Sequence, residues 1–246
     1  MKKIIFLFTI LFLGGQNGFS LNITKSQPKD LESGLTVVTY NIVEEKPYVN
    51  LDYSVEWPVS GPEKLTNECR NAIISFFIWD DDYKVSPDLS IEKFLNNDAL
   101  EKIREAANEY NDWDGYRYSF EINVKLTSDS KKTDINCCGD EGWTGRNSLG
   151  LISERVIILN DGRKLDYSTF PPIEEIRPLL LKYLTNRGEP VDGTEYRYLE
   201  YPDEMPAISS DYIEFQWPIL RWQNLNAKVP MSEFKKFASP ALLEIL

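Results

Sequence analysis

Two periods of hydrophobicity divide the chain. Val49, Leu51, Tyr53, Val55 and Trp57 alternate with Asn50, Asp52, Ser54 and Glu56, the period-2 mark of a strand buried on one side. Residues 36–40 supply its hairpin partner. At Ser60 the period lengthens. Ser60 and Glu63 stand three apart as a capping box with Pro62 in the first turn, and Leu65, Cys69, Ile73 and Phe76 then share one helix face. A second helical stretch over residues 99–110 aligns Leu100, Ile103 and Ala107. Tyr116, Tyr118, Phe120, Ile122, Val124 and Leu126 form the cleanest strand pattern, and their core-facing set is expected on the same side as Val49, Leu51, Tyr53, Val55 and Trp57.

The second half is read the same way. Residues 128–147 are polar and glycine-bearing, which predicts a long loop. Residues 149–159 read as a strand that reaches a hairpin turn at Asn160-Asp161-Gly162. A helix over 173–184 places Ile176, Leu180 and Leu184 at four-residue spacing, strands follow over 212–217 and 226–229, and a short helix over 232–238 is ended by Pro240. Strands and helices mix without regular βαβ alternation. That predicts an α+β fold, a mostly antiparallel sheet with helices packed on one face.

The first residues follow a different rule. Lys2 and Lys3 precede residues 4–13, which are apolar except for Thr9, and Gly18 and Ser20 put small residues at −3 and −1 of a cut before Leu21. Residues 1–20 therefore read as a cleavable signal peptide, too short in its apolar run to span a bilayer, which takes roughly 20 residues. The expectation is an exported protein, periplasmic or extracellular, with no transmembrane anchor. Residues 21–35, polar and bearing Pro28 and Gly34, read as a flexible N-terminal arm, and 36–246 as a single α+β domain.

Charge narrows the choice of partner. Removing Lys2 and Lys3 from the 27 basic residues leaves 25 against 39 acidic ones, a net charge of −14. Such a surface repels nucleic acid and attracts cations. The absence of histidine removes Ser-His-Asp and Cys-His nucleophile systems and histidine-bearing zinc sites. No cofactor motif and no metal set stands out. Asp80-Asp81-Asp82 reads as a solvated helix end, because neighbouring side chains do not converge on one ion. Asp112, Asp114, Gly115 and Glu121 fit part of a calcium loop, but Tyr110 occupies the position that needs a carboxylate. Asp112 and Asp114 flanking Trp113 fit a carboxylate-dependent carbohydrate-active enzyme only if their separation suits it.

Three cysteines are an odd count for an oxidising compartment. Adjacent Cys137 and Cys138 make a strained pair, so a bond from Cys69 to Cys137 or to Cys138 is the easier one. Cys69, on its apolar helix stripe with no histidine to activate it, is expected to be buried. Six tryptophans and thirteen tyrosines point to a recognition surface, with Trp143, Trp222, Trp217 and Tyr198 as candidate binding residues.

The order of segments is similar to an envelope domain found in the ectodomain of RsiV-type anti-sigma factors. The residues that carry the resemblance are Val49 to Trp57-Pro58 leading into the helix over 63–79; the strand 145–159 with its Asn160-Asp161-Gly162-Arg163-Lys164-Leu165 turn; the passage 167–170; and the closing strands Tyr212-Ile213-Glu214-Phe215 and Lys228-Val229-Pro230-Met231-Ser232-Glu233-Phe234. Where that family commonly has a Gly-Ala-His-Gly-like turn, this chain has Gly142-Trp143-Thr144-Gly145, and its last loop runs Trp217-Pro218-Ile219-Leu220-Arg221-Trp222-Gln223. The resemblance implies an exported, non-enzymatic binding domain of the cell envelope. It also implies a cationic partner such as a lysozyme-like enzyme; wall glycan, stacked on the aromatic residues, is the other ligand class. The rival expectations are the carbohydrate-active enzyme and a structural envelope component.

Overall fold

A computed structural model of the protein describes residues 21–46, 48–78, 84–86, 88–110, 117–143, 150–186, 188–219 and 223–246. Its elements in chain order begin with β1 (Ile23–Lys25), β2 (Lys29–Asp30), β3 (Thr36–Lys46) and β4 (Val49–Ser60). The helices α1 (Glu63–Ile78) and α2 (Ile91–Tyr110) follow, then β5 (Tyr118–Ser128), β6 (Lys132–Trp143) and β7 (Gly150–Leu159). A 3-10 turn (Tyr167–Thr169) leads to α3 (Ile173–Lys182), β8 (Leu184–Asn186), β9 (Glu189–Pro190), β10 (Ala207–Ile208), β11 (Tyr212–Ile219), β12 (Gln223–Pro230), α4 (Met231–Phe234) and α5 (Pro240–Ile245).

These elements build the α+β fold that the patterns predict. The first sheet has the order β1-β3-β4-β5-β6-β7, with β2 also paired to β3, and the second the order β10-β11-β12-β8-β9. All pairings are antiparallel except β4 with β5. That parallel pair needs a long crossover, and α1 and α2 provide it. In register, Leu51 pairs with Phe120, Tyr53 with Ile122 and Val55 with Val124, so the two strands present one continuous apolar face as expected.

Each sheet has its own core. On the first, the inward residues of β3, β4, β5 and β6 meet Leu65, Cys69, Ile73 and Phe76 of α1 and Leu95, Ala99 and Ile103 of α2. On the second, Ile213, Phe215, Leu225, Ala227 and Val229 pack under Ile176 and Leu180 of α3, with Phe234 and Leu242 closing the end. Strand β7 joins the two: Val156 and Ile158 belong to the first core, and Ile157, on the opposite face, belongs to the second.

Four expectations from the sequence change. The arm over 21–35 is not loose: β1 and β2 lie antiparallel along β3, and Leu21 and Leu35 are buried. The loop expected over 128–147 contains β6, which is hydrogen-bonded along its length to β5 and β7. Its weak apolar alternation (Thr133, Ile135, Cys137, Gly139) hides a strand whose backbone groups are satisfied from both sides. Helix α2 starts at Ile91, and a stripe of Leu95, Ala99, Ile103 and Ala106 faces the core, leaving Leu100 half-buried. Pro240 does not end a helix. It opens α5, where Ser239 caps the first turn by accepting the Leu242 N–H.

The turn at Asn160-Asp161-Gly162 forms as predicted, but its second arm is a single bridge, Ile158 to Lys164. Gly162 has φ +80°, and a Cβ there would lie 2.5 Å from Lys64 Cγ on α1. Gly162→Val should therefore cost about 1–2 kcal/mol from the left-handed backbone alone, read as a shift in the urea midpoint. A variant as stable as the parent would show that the turn has another conformation open to it.

Candidate functional site

Among the described residues, strand alternation leaves one face of the first sheet without helices across β3, β4 and β5. Both α1 and α2 contact the opposite face, through β4, β5, β6 and β7. Across β3, β4 and β5 the open face carries Thr39, Asn41, Val43 and Glu45, then Asn50, Asp52, Ser54 and Glu56, then Ser119, Glu121, Asn123, Lys125 and Thr127. Every outward residue of β5 from Glu121 to Thr127 is exposed, and so are Asp52 and Val43, the latter at 60 %.

Register places these residues in rows across the strands. Val43 lies opposite Asp52, Asp52 opposite Glu121, and Glu121 opposite Asp140. The next row is Asn41, Ser54, Asn123, Cys138 and Ser153. Three carboxylates thus stand on consecutive strands, about 5 Å apart by the spacing of strands in a sheet. Like charges directly opposite destabilise a sheet, by roughly 1 kcal/mol per pair even in water. Asp52 and Glu121 have no ion-pair partner among the described residues, whereas the flanking Glu45 meets Arg117 at 3.9 Å and Glu56 meets Lys29 at 3.8 Å. Among the described residues, Asp52 and Glu121 are the carboxylates of this row left without a counter-charge.

At β6 and β7 the face meets a wall. Glu204, from the segment before β10, accepts a hydrogen bond from Ser153 Oγ through its carboxylate and one from Tyr167 Oη through its backbone oxygen at 2.6 Å. Beside it Arg155 Nε lies 3.4 Å from Asp134 Oδ1, a close ion pair without hydrogen-bond alignment. Burial pushes the Asp134 carboxyl above its ordinary range, against the pull of Arg155 and Lys132.

The cysteines are free thiols, so the bond expected from Cys69 to Cys137 or Cys138 is not formed in this structure. Because Cys137 and Cys138 are consecutive on a strand, they point to opposite faces. Cys137 joins Cys69 in the first core, and Cys138 sits half-buried near the wall. Burial raises all three thiols, Cys69 to about 12, with Glu68, Glu154 and Glu204 as the nearby carboxylates that add to the effect. Thiols held in this way are poor nucleophiles.

The aromatic candidates separate. Trp217 is 7 % exposed, its ring near Phe215 and its indole N–H donating to Glu200 O at 2.8 Å, so it belongs to the second core. Tyr198 is 76 % exposed, with the Arg197 guanidinium 5.0 Å from its ring centre. Trp143 ends β6 opposite Tyr118, but its side chain lies outside the described ones. Trp222, Asp80 to Asp82, Asp112 and Asp114 lie outside the described residues.

A second polar group sits under the helices. Tyr53 Oη donates to Asp98 Oδ2 at 2.7 Å, and Tyr118 Oη donates to Glu141. Burial drives the Asp98 carboxyl up to about 6. Among the described residues no group of three or more carboxylate, cysteine or histidine side chains is arranged to hold a metal ion, and no helix is long and apolar enough to cross a membrane. The chain matches no protein-family model and no curated protein sequence.

Proposed function

We propose that this is an exported, non-enzymatic binding protein of the cell envelope, and that it recognises a cationic protein through the open face of its first sheet. The observation that supports this reading is the Asp52–Glu121 pair within the carboxylate row, where register sets like charges directly opposite on neighbouring strands with no ion-pair partner among the described residues. A fold keeps such a row at a cost to stability, and a basic partner offsets that cost. The face, with Asn41, Ser54 and Asn123 in the row beside the carboxylates, suits a surface that presents lysine and arginine side chains. A net charge of −12 over the whole sequence adds long-range attraction to the same partner. The resemblance to the RsiV-type envelope domain points to a lysozyme-like enzyme as the first partner to try.

The test measures binding of the mature protein to a purified basic lysozyme by calorimetry at low salt. The parent should bind, and binding should weaken as ionic strength rises toward physiological values, where screening acts within about 8 Å. The double variant Asp52→Asn, Glu121→Gln should bind about tenfold more weakly, with a flatter salt dependence. It should also be at least as stable as the parent, because a repulsion has been removed. A parent that ignores basic proteins at low salt, or that cleaves wall glycan, overturns the proposal.

A further inference from the structure

Leu21 is a buried member of the first core. It is 5 % exposed, and its backbone nitrogen donates to Asn96 Oδ1 on α2 at 2.9 Å. The residues after it are fixed by separate ties. Ile23, Thr24 and Lys25 pair with Ile42, Asn41 and Tyr40 of β3. Lys25 Nζ meets Glu92 at 2.6 Å and lies 5.5 Å from the centre of the Tyr40 ring. Glu92 and Asn96 are four residues apart, hence on one side of α2, so the helix grips this segment at two successive turns. The amide oxygen of Asn96 is an acceptor that serves a peptide N–H or an ammonium equally. Gly18 and Ser20 stand immediately before this segment.

We propose that Leu21 is the first residue of the working protein and that the fold contains a seat for it: Asn96 receives the new α-ammonium, and the leucine side chain plugs the first core. This rests on the export reading above. The step is hydrolysis by a peptidase. Water adds across the Ser20–Leu21 amide, its hydroxyl going to the Ser20 carbonyl carbon to give a carboxylate, while the C–N bond breaks and nitrogen takes up protons to become the ammonium. A peptidase needs the bond extended and accessible, which a buried Leu21 does not offer. The cut therefore precedes docking, and removal of the leader completes the packing of α2 against the sheet.

The experiment uses the full chain expressed with its own leader and recovered from the envelope. Mass spectrometry should find Leu21 at the N-terminus. An amine-reactive reagent at neutral pH should modify that terminus at least tenfold more slowly in the native protein than in urea. Asn96→Ala should restore fast modification, and Leu21→Ser should lower the melting temperature by roughly 5 °C. The native-against-urea comparison needs no variant, so it stands even if Asn96→Ala fails to fold. A terminus at Leu21 that reacts as fast in the native protein as in urea, or a Leu21→Ser protein melting with the parent, overturns the seat and leaves export intact. A chain that begins well after Leu21 overturns the seat alone, and one that keeps Met1 overturns both.

Discussion

Replacing Phe215 by alanine should lower the unfolding free energy by about 3–5 kcal/mol, the cost of deleting a fully buried aromatic ring. Phe215 has no exposed surface and sits at the middle of β11. Four other rings surround it: Tyr201 at 5.9 Å between centres, Phe234 at 6.1 Å, Trp217 at 6.3 Å and Phe170 at 6.4 Å. These neighbours are held from elsewhere, which limits how far they can collapse into the gap. Tyr201 Oη donates to Pro171 O at 2.7 Å, and the Trp217 indole is tied to Glu200 O. The cavity stays open, and the loss reaches the upper part of the range. Urea unfolding followed by tryptophan fluorescence measures it, since Trp217 reports from the cavity wall. Val43→Ala on the open face is the control and should stay within about 0.5 kcal/mol of the parent. A Phe215→Ala protein within 1 kcal/mol of the parent would show that the second core repacks freely.

The contrast between Phe215 and β6 explains how much of this fold can be read from the chain. Elements with strong periodicity appear where the pattern puts them, as with β4, β5, β11 and the face of α1. Strand β6 escapes because a central strand borrows stability. Its hydrogen bonds come from β5 and β7, its inward side chains need only fit, and Gly139 opposite Ile122 contributes none. The segment 21–35 escapes for a related reason: Leu21, Leu31 and Leu35 are too widely spaced to show a period, and the edge of β3 and the side of α2 give the segment its place. The carboxylate row is partly legible. Asp52 and Glu121 occupy outward positions of two readable strands, but their alignment depends on register and on a parallel pairing that no local pattern specifies. The aromatic excess misleads in part, because Trp217 and the rings around Phe215 make a core and not a surface.

Between about pH 4 and pH 6 the contribution of Asp98 to stability should fall as pH rises. Its carboxyl lies between α2 and β4, bonded to the buried Tyr53 hydroxyl. Burial lifts it from 3.8 to about 6, opposed by the Tyr53 hydrogen bond and Lys102 and reinforced by Glu101 and Glu105. The folded state therefore binds this proton more tightly than the unfolded state. Stability is then greatest below the unfolded value and falls as pH climbs through the folded one, by up to about 3 kcal/mol for a shift of this size. Asp134, also raised, acts in the same sense, while the lowered Asp129, Asp161, Asp192 and Glu233 act in the opposite one. A difference between two proteins isolates the single group. Asp98→Asn keeps an acceptor for Tyr53 and removes the titration, so the two should have similar urea midpoints near pH 4. At pH 7 the variant should be the more stable by about 2–3 kcal/mol. Tyr53→Phe should act the other way on the carboxyl, raising it further by removing the donor that favours its charged form. If Asp98→Asn and the parent run parallel from pH 4 to pH 7, or the parent gains on the variant as pH rises, the carboxyl is solvated and the helix α2 packs less closely on β4 than described.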